Sequence, residues 1–200
     1  MNLSKNESVQ LINLSKNKTL PVFKIGASWI KKSKKLFGLV GIPQSCDLDL
    51  CAFAVVNGII KDNWDCSFQR DRSPFMSSSG DDRSGGGNKN KDNEIIKIDM
   101  AKVPDEVEGI IIIINSYSGE TFDDIEYAHV RVYEGEDNKP EIVHCKYALS
   151  SDETFKGGRT LIIGSITRDG NNWNFNAIGD MRTYRYIREF KHEMVCGLSM

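Results

Sequence analysis

The chain has 200 residues, of which 40% are hydrophobic, and 26 Lys and Arg against 28 Asp and Glu give a formal net charge of -2. This length is sufficient for one domain with a full hydrophobic core. The charge balance argues against a nucleic-acid-binding protein, which usually has a strongly basic face. No stretch approaches the ~20 apolar residues that span a bilayer, and no signal peptide is evident. We therefore expect a cytoplasmic protein.

Strand-like segments dominate the chain in order, and the segments that we predict as strands are residues 9–14, 22–29, 48–56, 95–99, 110–114, 129–133, 142–149, 160–167 and 173–178. Nine short strands separated by turns predict an all-β fold, a β-sandwich of two mainly antiparallel sheets. Residues 110–114 are five isoleucines, which predicts a central strand covered on both faces. Residues 129–133 alternate between apolar and polar side chains, which predicts a strand with one solvent-facing side.

Helix is scarce in this pattern. Residues 121–127 begin with a Thr cap and have acids in the first turn, which predicts a short helix. A basic segment at residues 181–194 predicts a C-terminal helix. We expect residues 1–180 to form the β-sandwich domain and residues 181–200 to form a basic tail. Residues 77–93 have the composition of a flexible linker.

Two carboxylates two residues apart, Asp47 and Asp49, are the most informative feature of the chain. Side chains at i and i+2 of a strand share a face, so both carboxylates point the same way, opposite Leu48 and Leu50. Carboxylates held this close repel each other unless a cation or a proton intervenes. The pair therefore indicates a metal site, and the alternative is a pair of solvent-facing acids on an edge strand.

A second group of acids surrounds the glycine-rich residues 85–87. Hard cations such as calcium take oxygen donors from carboxylates, amides, carbonyls and water, and glycines let a loop bend around the ion. The spacing is not that of an EF-hand. On residue types alone, a disordered polar loop remains the alternative. The candidate ligands around this loop are Asp81, Asp82, Asp92, Asn93 and Glu94.

Several ordered motifs resemble the tellurium-resistance, TerD-type family of bacterial stress proteins. They are Asp47-Leu48-Asp49, Gly80-Asp81-Asp82-Arg83-Ser84-Gly85, Asp92-Asn93-Glu94, and residues 98–104, 122–132 and 173–179. Together they cover about residues 8–179. The resemblance implies a calcium-binding β-sandwich whose ligands fall on Asp47, Asp49, Asp81, Asp82, Asp92, Asn93 and Glu94 here.

The chain departs from the family pattern in the glycine-rich loop. Lys89 and Lys91 stand in an apparent insertion where the family usually has acids, and a lysine repels a cation and offers it no oxygen. Asn93 replaces the middle acid of the last motif. If the family binds two ions, we expect this chain to bind one well or both weakly.

No nucleophile elbow, phosphate loop or zincin motif is present, so we expect no catalytic activity. The resemblance favours a calcium-binding stress-response protein that acts as a metal-dependent interaction module for protein partners in a stress-response assembly. The alternative is a calcium-dependent peripheral membrane-binding domain. In that case the basic residues 31–35, or Arg182, Arg185 and Arg188, would add attraction to anionic lipid.

Overall fold

The structure is a computed structural model that describes residues 2, 4–11, 22–32, 34–36, 39–42, 46–67, 70–85, 88, 90–149, 156–170 and 172–195. The described strands are β1 (Ser8–Leu11), β2 (Val22–Lys31), β3 (Lys34–Leu36), β4 (Leu39–Ile42), β5 (Leu48–Val56), β6 (Ile59–Ser67), β7 (Arg70–Asp71), β8 (Met76–Ser78), β9 (Glu94–Asp99), β10 (Gly109–Ser116), β11 (Ile125–Glu136), β12 (Lys139–Ala148), β13 (Thr160–Asp169) and β14 (Asn172–Arg182). Two 3-10 turns cover Met100–Lys102 and Phe122–Asp124, and helix α1 covers Ile187–Val195.

Two antiparallel sheets form the sandwich, as the sequence predicts. One sheet has the strand order β1-β14-β13-β10-β5-β6-β7, and the other has the order β12-β11-β2-β9-β8. Strands β3 and β4 form a separate hairpin. None of the described helices is long and apolar enough to cross a membrane.

The isoleucine strand β10 is central, because it pairs with β5 on one side and β13 on the other. Ile110, Ile112 and Ile114 pack in the main core between the sheets, whereas Ile111 and Ile113 pack in a second apolar cluster on the outer face. All eight residues of β10 are buried. The prediction of a strand covered on both faces is confirmed.

The helix α1 supplies the cover on that outer face. Phe190 is 1% exposed and packs against Phe53, with ring centroids 5.7 Å apart. Lys191 Nζ lies 2.9 Å from Asp65 Oδ2 on β6, which fixes the helix at a second point. The C-terminal helix was predicted to begin at residue 181, but it begins at Ile187, because Met181 and Arg182 continue β14.

Other local predictions need correction. The helix predicted at residues 121–127 is a single 3-10 turn, Phe122–Asp124, and β11 begins at Ile125 because Ile125 pairs with Lys31 of β2. Residues 77–93 were predicted as a linker from their composition, but residues 77 and 78 belong to β8. The segment ends directly before β9. The strands β6, β7 and β8 and the β3–β4 hairpin were not predicted, since polar residues interrupt β6 and the others are only two to four residues long.

The face of β11 that was predicted to be solvent-facing is largely buried, with His129 half-buried. In β11, Arg131 is 8% exposed and Tyr133 is fully buried. Arg131 donates hydrogen bonds to Asp92 and to Asn138, so Asp92 offsets much of its charge inside the protein. A long charged side chain can be buried when its head group is paired in this way.

Candidate metal centre

Three carboxylates converge at one end of the sandwich. One oxygen from each of Asp47, Asp49 and Asp81 lies within 4.8 Å of the other two. Asp49 is in β5, an interior strand between β10 and β6, and is 4% exposed. The alternative of two solvent-facing acids on an edge strand is therefore wrong.

The β5 backbone positions Asp49, and Asp47 directly precedes this strand. Leu48 and Leu50 point into the main core, which turns Asp49 toward the opposite face, as their alternation predicts. The Asp47 N–H donates to Ser118 Oγ at 3.1 Å, and the Asp47 carbonyl accepts from the Tyr117 N–H at 2.9 Å. Asp47 is thus fixed by the segment that follows β10.

The loop after β8 brings Asp81 to the same place. The Cys46 N–H donates to the Ser84 carbonyl at 3.3 Å, which ties this loop to the start of β5. Gly85 has a φ of +65°, and a Cβ there would lie 2.8 Å from the Trp29 ring. Trp29 Nε1 in turn donates to the Cys46 carbonyl at 2.9 Å. Only glycine fits this close approach without displacing the tryptophan.

The carboxylates of this cluster repel one another, and two of them have an oxygen without a described hydrogen-bond partner. Asp47 Oδ1 and Asp81 Oδ1 are buried and have no hydrogen-bond partner among the described residues. Burial, followed by the carboxylates of Asp47 and Asp81, raises the pKa of Asp49 to about 8. Burial and the Asp81 carboxylate also raise the pKa of Asp47. Buried polar atoms in proteins are normally satisfied, so this oxygen cluster fits a cation.

Three further predicted ligands form a hydrogen-bonded network that links the loop to the two sheets. Asp82 Oδ1 accepts from the N–H and the hydroxyl of Ser84, and Asp82 Oδ2 accepts from Asn93 Nδ2 at 2.8 Å. Burial raises the pKa of Asp82, but these hydrogen bonds outweigh it, so the pKa is lowered overall. Glu94 Oε1 accepts from the Asp82 N–H at 3.2 Å, and Oε2 accepts from the Leu50 N–H at 2.8 Å.

Glu94 has a second property of interest. It is 2% exposed, and burial together with the nearby carboxylates of Asp49 and Asp81 raises its pKa to about 8 despite its two hydrogen bonds from backbone N–H groups. The carboxylate of Glu94 therefore adds to the negative potential of the cluster when it is ionised.

The structure does not bring Asp92 to this cluster. Its carboxylate accepts a hydrogen bond from Arg131 Nε at 2.9 Å on the outer face of the five-stranded sheet. A Cβ on Gly26 would lie 2.1 Å from Asp92 Oδ2, so the glycine of β2 makes room for this carboxylate. Asp92 is already neutralised by a guanidinium.

Sequence reasoning missed other charged groups around the cluster. Arg83 Nε donates to Asp81 Oδ2 at 2.9 Å, and the Arg83 side chain is 74% exposed. Glu120 accepts from Ser118 and pairs with Lys31 at 2.6 Å. Arg83 is two residues from Asp81, so its sequence position was a usable signal. Glu120 offered none, because β10 separates it from the other acids.

The fold and this cluster define a β-sandwich protein with an acidic, oxygen-rich site at one end. The model of the TerD domain matches residues 1–185, and the chain belongs to that family. A tellurium resistance protein TerZ of Serratia marcescens is 28% identical over 200 residues, which cover 99% of this chain and 98% of that protein. The stress response protein SCP2 of Bacillus subtilis is 29% identical over 188 residues, which cover 87% and 90%.

Solved structures share the fold. A homologue of telluride resistance protein (TerD) from Streptomyces coelicolor has a TM-score of 0.64 at 16% identity, covering 88% of this chain and 98% of that one. A crystal structure of a protein of unknown function has a TM-score of 0.65 at 16% identity, covering 87% and 96%. These two structures support the sandwich fold of this chain.

Proposed function

We propose that this chain is a calcium-binding stress-response protein that acts as a metal-dependent interaction module rather than as a catalyst. The convergence of Asp47, Asp49 and Asp81, with two buried carboxylate oxygens that lack a described partner, carries this proposal. The names of its relatives, tellurium resistance and stress response proteins, support the stress-response part.

Asp47, Asp49 and Asp81 are the residues that would hold the ion. A bound calcium ion supplies positive charge that offsets the repulsion among the three carboxylates. Calcium accepts six to eight oxygens in flexible geometry, whereas magnesium demands a near-ideal octahedron. Donors that come from a buried strand and from a separate loop suit the less demanding ion.

Loading this site would couple the β8–β9 loop to β5. Asp81 lies on that loop and Asp49 on the strand, so a shared ion fixes one to the other. The neighbouring Asp82–Ser84 hydrogen bonds already shape the loop. Ordering a loop residue costs roughly 1 to 2 kcal/mol in backbone entropy, which ion binding offsets. A protein partner that recognises the ordered loop would then bind the loaded form.

Thermal unfolding tests this proposal. We expect saturating calcium to raise the melting temperature by about 5 to 10 °C over chelator, because a ligand at 100 times its Kd adds about 2.7 kcal/mol. Magnesium at the same concentration should shift it much less. Coincident unfolding curves with calcium and with chelator would contradict the proposal.

Calcium-dependent binding to anionic membranes is the second candidate. Tyr117 is 60% exposed, and its N–H bonds to Asp47, so an exposed aromatic side chain lies beside the cluster. Tyrosine is favoured at membrane interfaces. Lys31 does not support this candidate, since it is paired with Glu120 and only 10% exposed. Sedimentation with phosphatidylserine vesicles, with and without calcium, separates the two functions, because only membrane binding predicts calcium-dependent pelleting.

A further inference from the structure

A cavity of about 310 Å³ lies on the outer face of the five-stranded sheet, away from the main core. Tyr127, His129 and Arg131 of β11, and Lys146 and Ala148 of the neighbouring strand β12, line it. The register of the two strands places His129 opposite Ala148 and Arg131 opposite Lys146. Asn2 and Asn90 complete the described lining. This volume is at the small end of ligand-binding pockets, which span roughly 300 to 1,000 Å³.

The charged side chains in the described lining are cations. Lys146 is exposed, and the buried Arg131 is one of the residues that line the cavity. Asp92 neutralises part of this charge, but its side chain is 1% exposed and is not part of the lining. Arg131 uses Nε and Nη2 for Asp92 and Asn138, so among the described residues its two Nη1–H donors remain uncommitted.

His129 lines the same cavity and carries a polar atom without a described partner. Its Nδ1 is buried and has no hydrogen-bond partner among the described residues. Burial, against the attraction of Asp92, lowers the pKa of His129, so the ring is neutral and can donate one N–H. Tyr127 packs edge-on against this ring at 5.1 Å and holds its orientation. A buried polar atom without a partner is destabilising unless water or a ligand satisfies it.

We propose that this cavity binds a small oxyanion of the phosphate class, held by Lys146 and Arg131 and by a hydrogen bond with His129. Arginine forks and lysine point charges are the usual protein partners of phosphate oxygens. The ligand is either a free phosphate or phosphate ester, or the headgroup of an anionic phospholipid. The proposal does not depend on metal binding at the aspartate cluster.

Titration of the metal-free full-length chain with inorganic phosphate, against chloride at equal ionic strength, tests the site. We expect saturable shifts of the His129 ring resonances in NMR spectra. Lys146→Gln should weaken phosphate binding about tenfold, the loss expected for one charge-assisted hydrogen bond. Lys139→Gln is the matched control, because Lys139 is an exposed lysine of the same strand with a 78% exposed side chain, and it should leave the affinity unchanged.

Shifts that do not saturate, or equal losses in the two lysine variants, would overturn the proposal, since they indicate charge screening only. A second arm uses phosphatidylcholine vesicles that contain phosphatidic acid. Pelleting that phosphate competes away assigns the site to a headgroup, whereas phosphate binding without pelleting assigns it to a free ligand. Both readouts are made without calcium, so failure here leaves the melting experiment on the aspartate cluster unaffected.

Discussion

Asp92 and Arg131 form a buried, two-pronged ion pair: Asp92 Oδ1 lies 2.9 Å from Nε, and Oδ2 lies 2.9 Å from Nη2. Their side chains are 1% and 9% exposed. Glu94, two residues further on, turns the other way and binds the backbone N–H groups of Leu50 and Asp82. The acidic run at residues 92–94 therefore serves two different places in the sandwich.

Asp92→Asn should destabilise the fold whether or not calcium is present. Removing one partner of a buried pair leaves an uncompensated charge, which costs about 3 to 5 kcal/mol. Urea unfolding with calcium and with chelator should show similar losses. Asp105→Asn is the control, because Asp105 is fully exposed and its ion pair with Arg168 is long, at 3.9 Å. A variant that loses calcium affinity but keeps its metal-free stability would show that Asp92 is a ligand instead.

Arg83→Gln should strengthen calcium binding. The guanidinium lies 2.9 Å from Asp81 and acts as a tethered counter-charge that an incoming ion must displace or tolerate. Because this side chain is mostly exposed, we expect an affinity gain of only about two- to fivefold. Lys102→Gln, an exposed lysine paired with Asp99, should have no effect in the same calcium titration. An equal or weaker affinity in Arg83→Gln would remove the arginine from this role.

Ionisation of Asp49 should lower the stability of the metal-free protein as pH rises from 4 to 8. The pKa of Asp49 is about 8 in the fold against an ordinary value of 3.8, so the folded state holds the proton more tightly than the unfolded chain does. The stability from this group is therefore complete below pH 4 and is lost as pH approaches 8. In Asp49→Asn, the loss of unfolding free energy between pH 4 and 8 should be smaller than in wild type by at least about 1 kcal/mol.

Urea unfolding at several pH values, on metal-free wild type and Asp49→Asn, measures that difference. The variant should still lose some unfolding free energy as pH rises, because Glu94 has a raised pKa of about 8 as well. Parallel stability profiles for the two proteins would show that Asp49 ionises normally in the fold.

Phe190→Ala should destabilise the domain by about 3 to 5 kcal/mol. Phe190 is buried at 1% exposure against Phe53, and truncating a buried phenylalanine removes apolar contact and leaves a cavity. Tyr186→Ala is the control, since Tyr186 is 41% exposed. Thermal unfolding of both variants is the measurement. Identical curves would mean that the C-terminal helix is a detachable tail.

The sequence was most reliable where side-chain periodicity reflects burial. The five isoleucines of β10 and the Asp47-Leu48-Asp49 alternation both report which face meets the core, and both predictions agree with the fold. The prediction was poorest where burial depends on a remote partner. Arg131 is polar in the pattern yet buried in the structure, because Asp92 reaches it from a loop 39 residues away.

The same limit applies to the candidate site. The local spacing predicted that Asp47 and Asp49 share a face, and the resemblance to the TerD-type family implied that acids beside the glycine-rich loop join them. Whether an acid faces the cluster depends on tertiary hydrogen bonds, which the spacing does not encode. Glu94 bonds to Leu50, 44 residues away, whereas Asp92 pairs with a guanidinium on the opposite side of β2.

Calorimetric titration with calcium, on wild type and on Asp49→Asn, tests the proposed metal centre most directly. We expect wild type to bind calcium saturably and Asp49→Asn to lose at least about tenfold in affinity, because one of three converging carboxylates loses its charge. Asp99→Asn, which removes an acid that pairs with Lys102 outside the cluster, should bind as wild type does. Absence of calcium binding in wild type, or equal affinity in Asp49→Asn, would contradict the proposal.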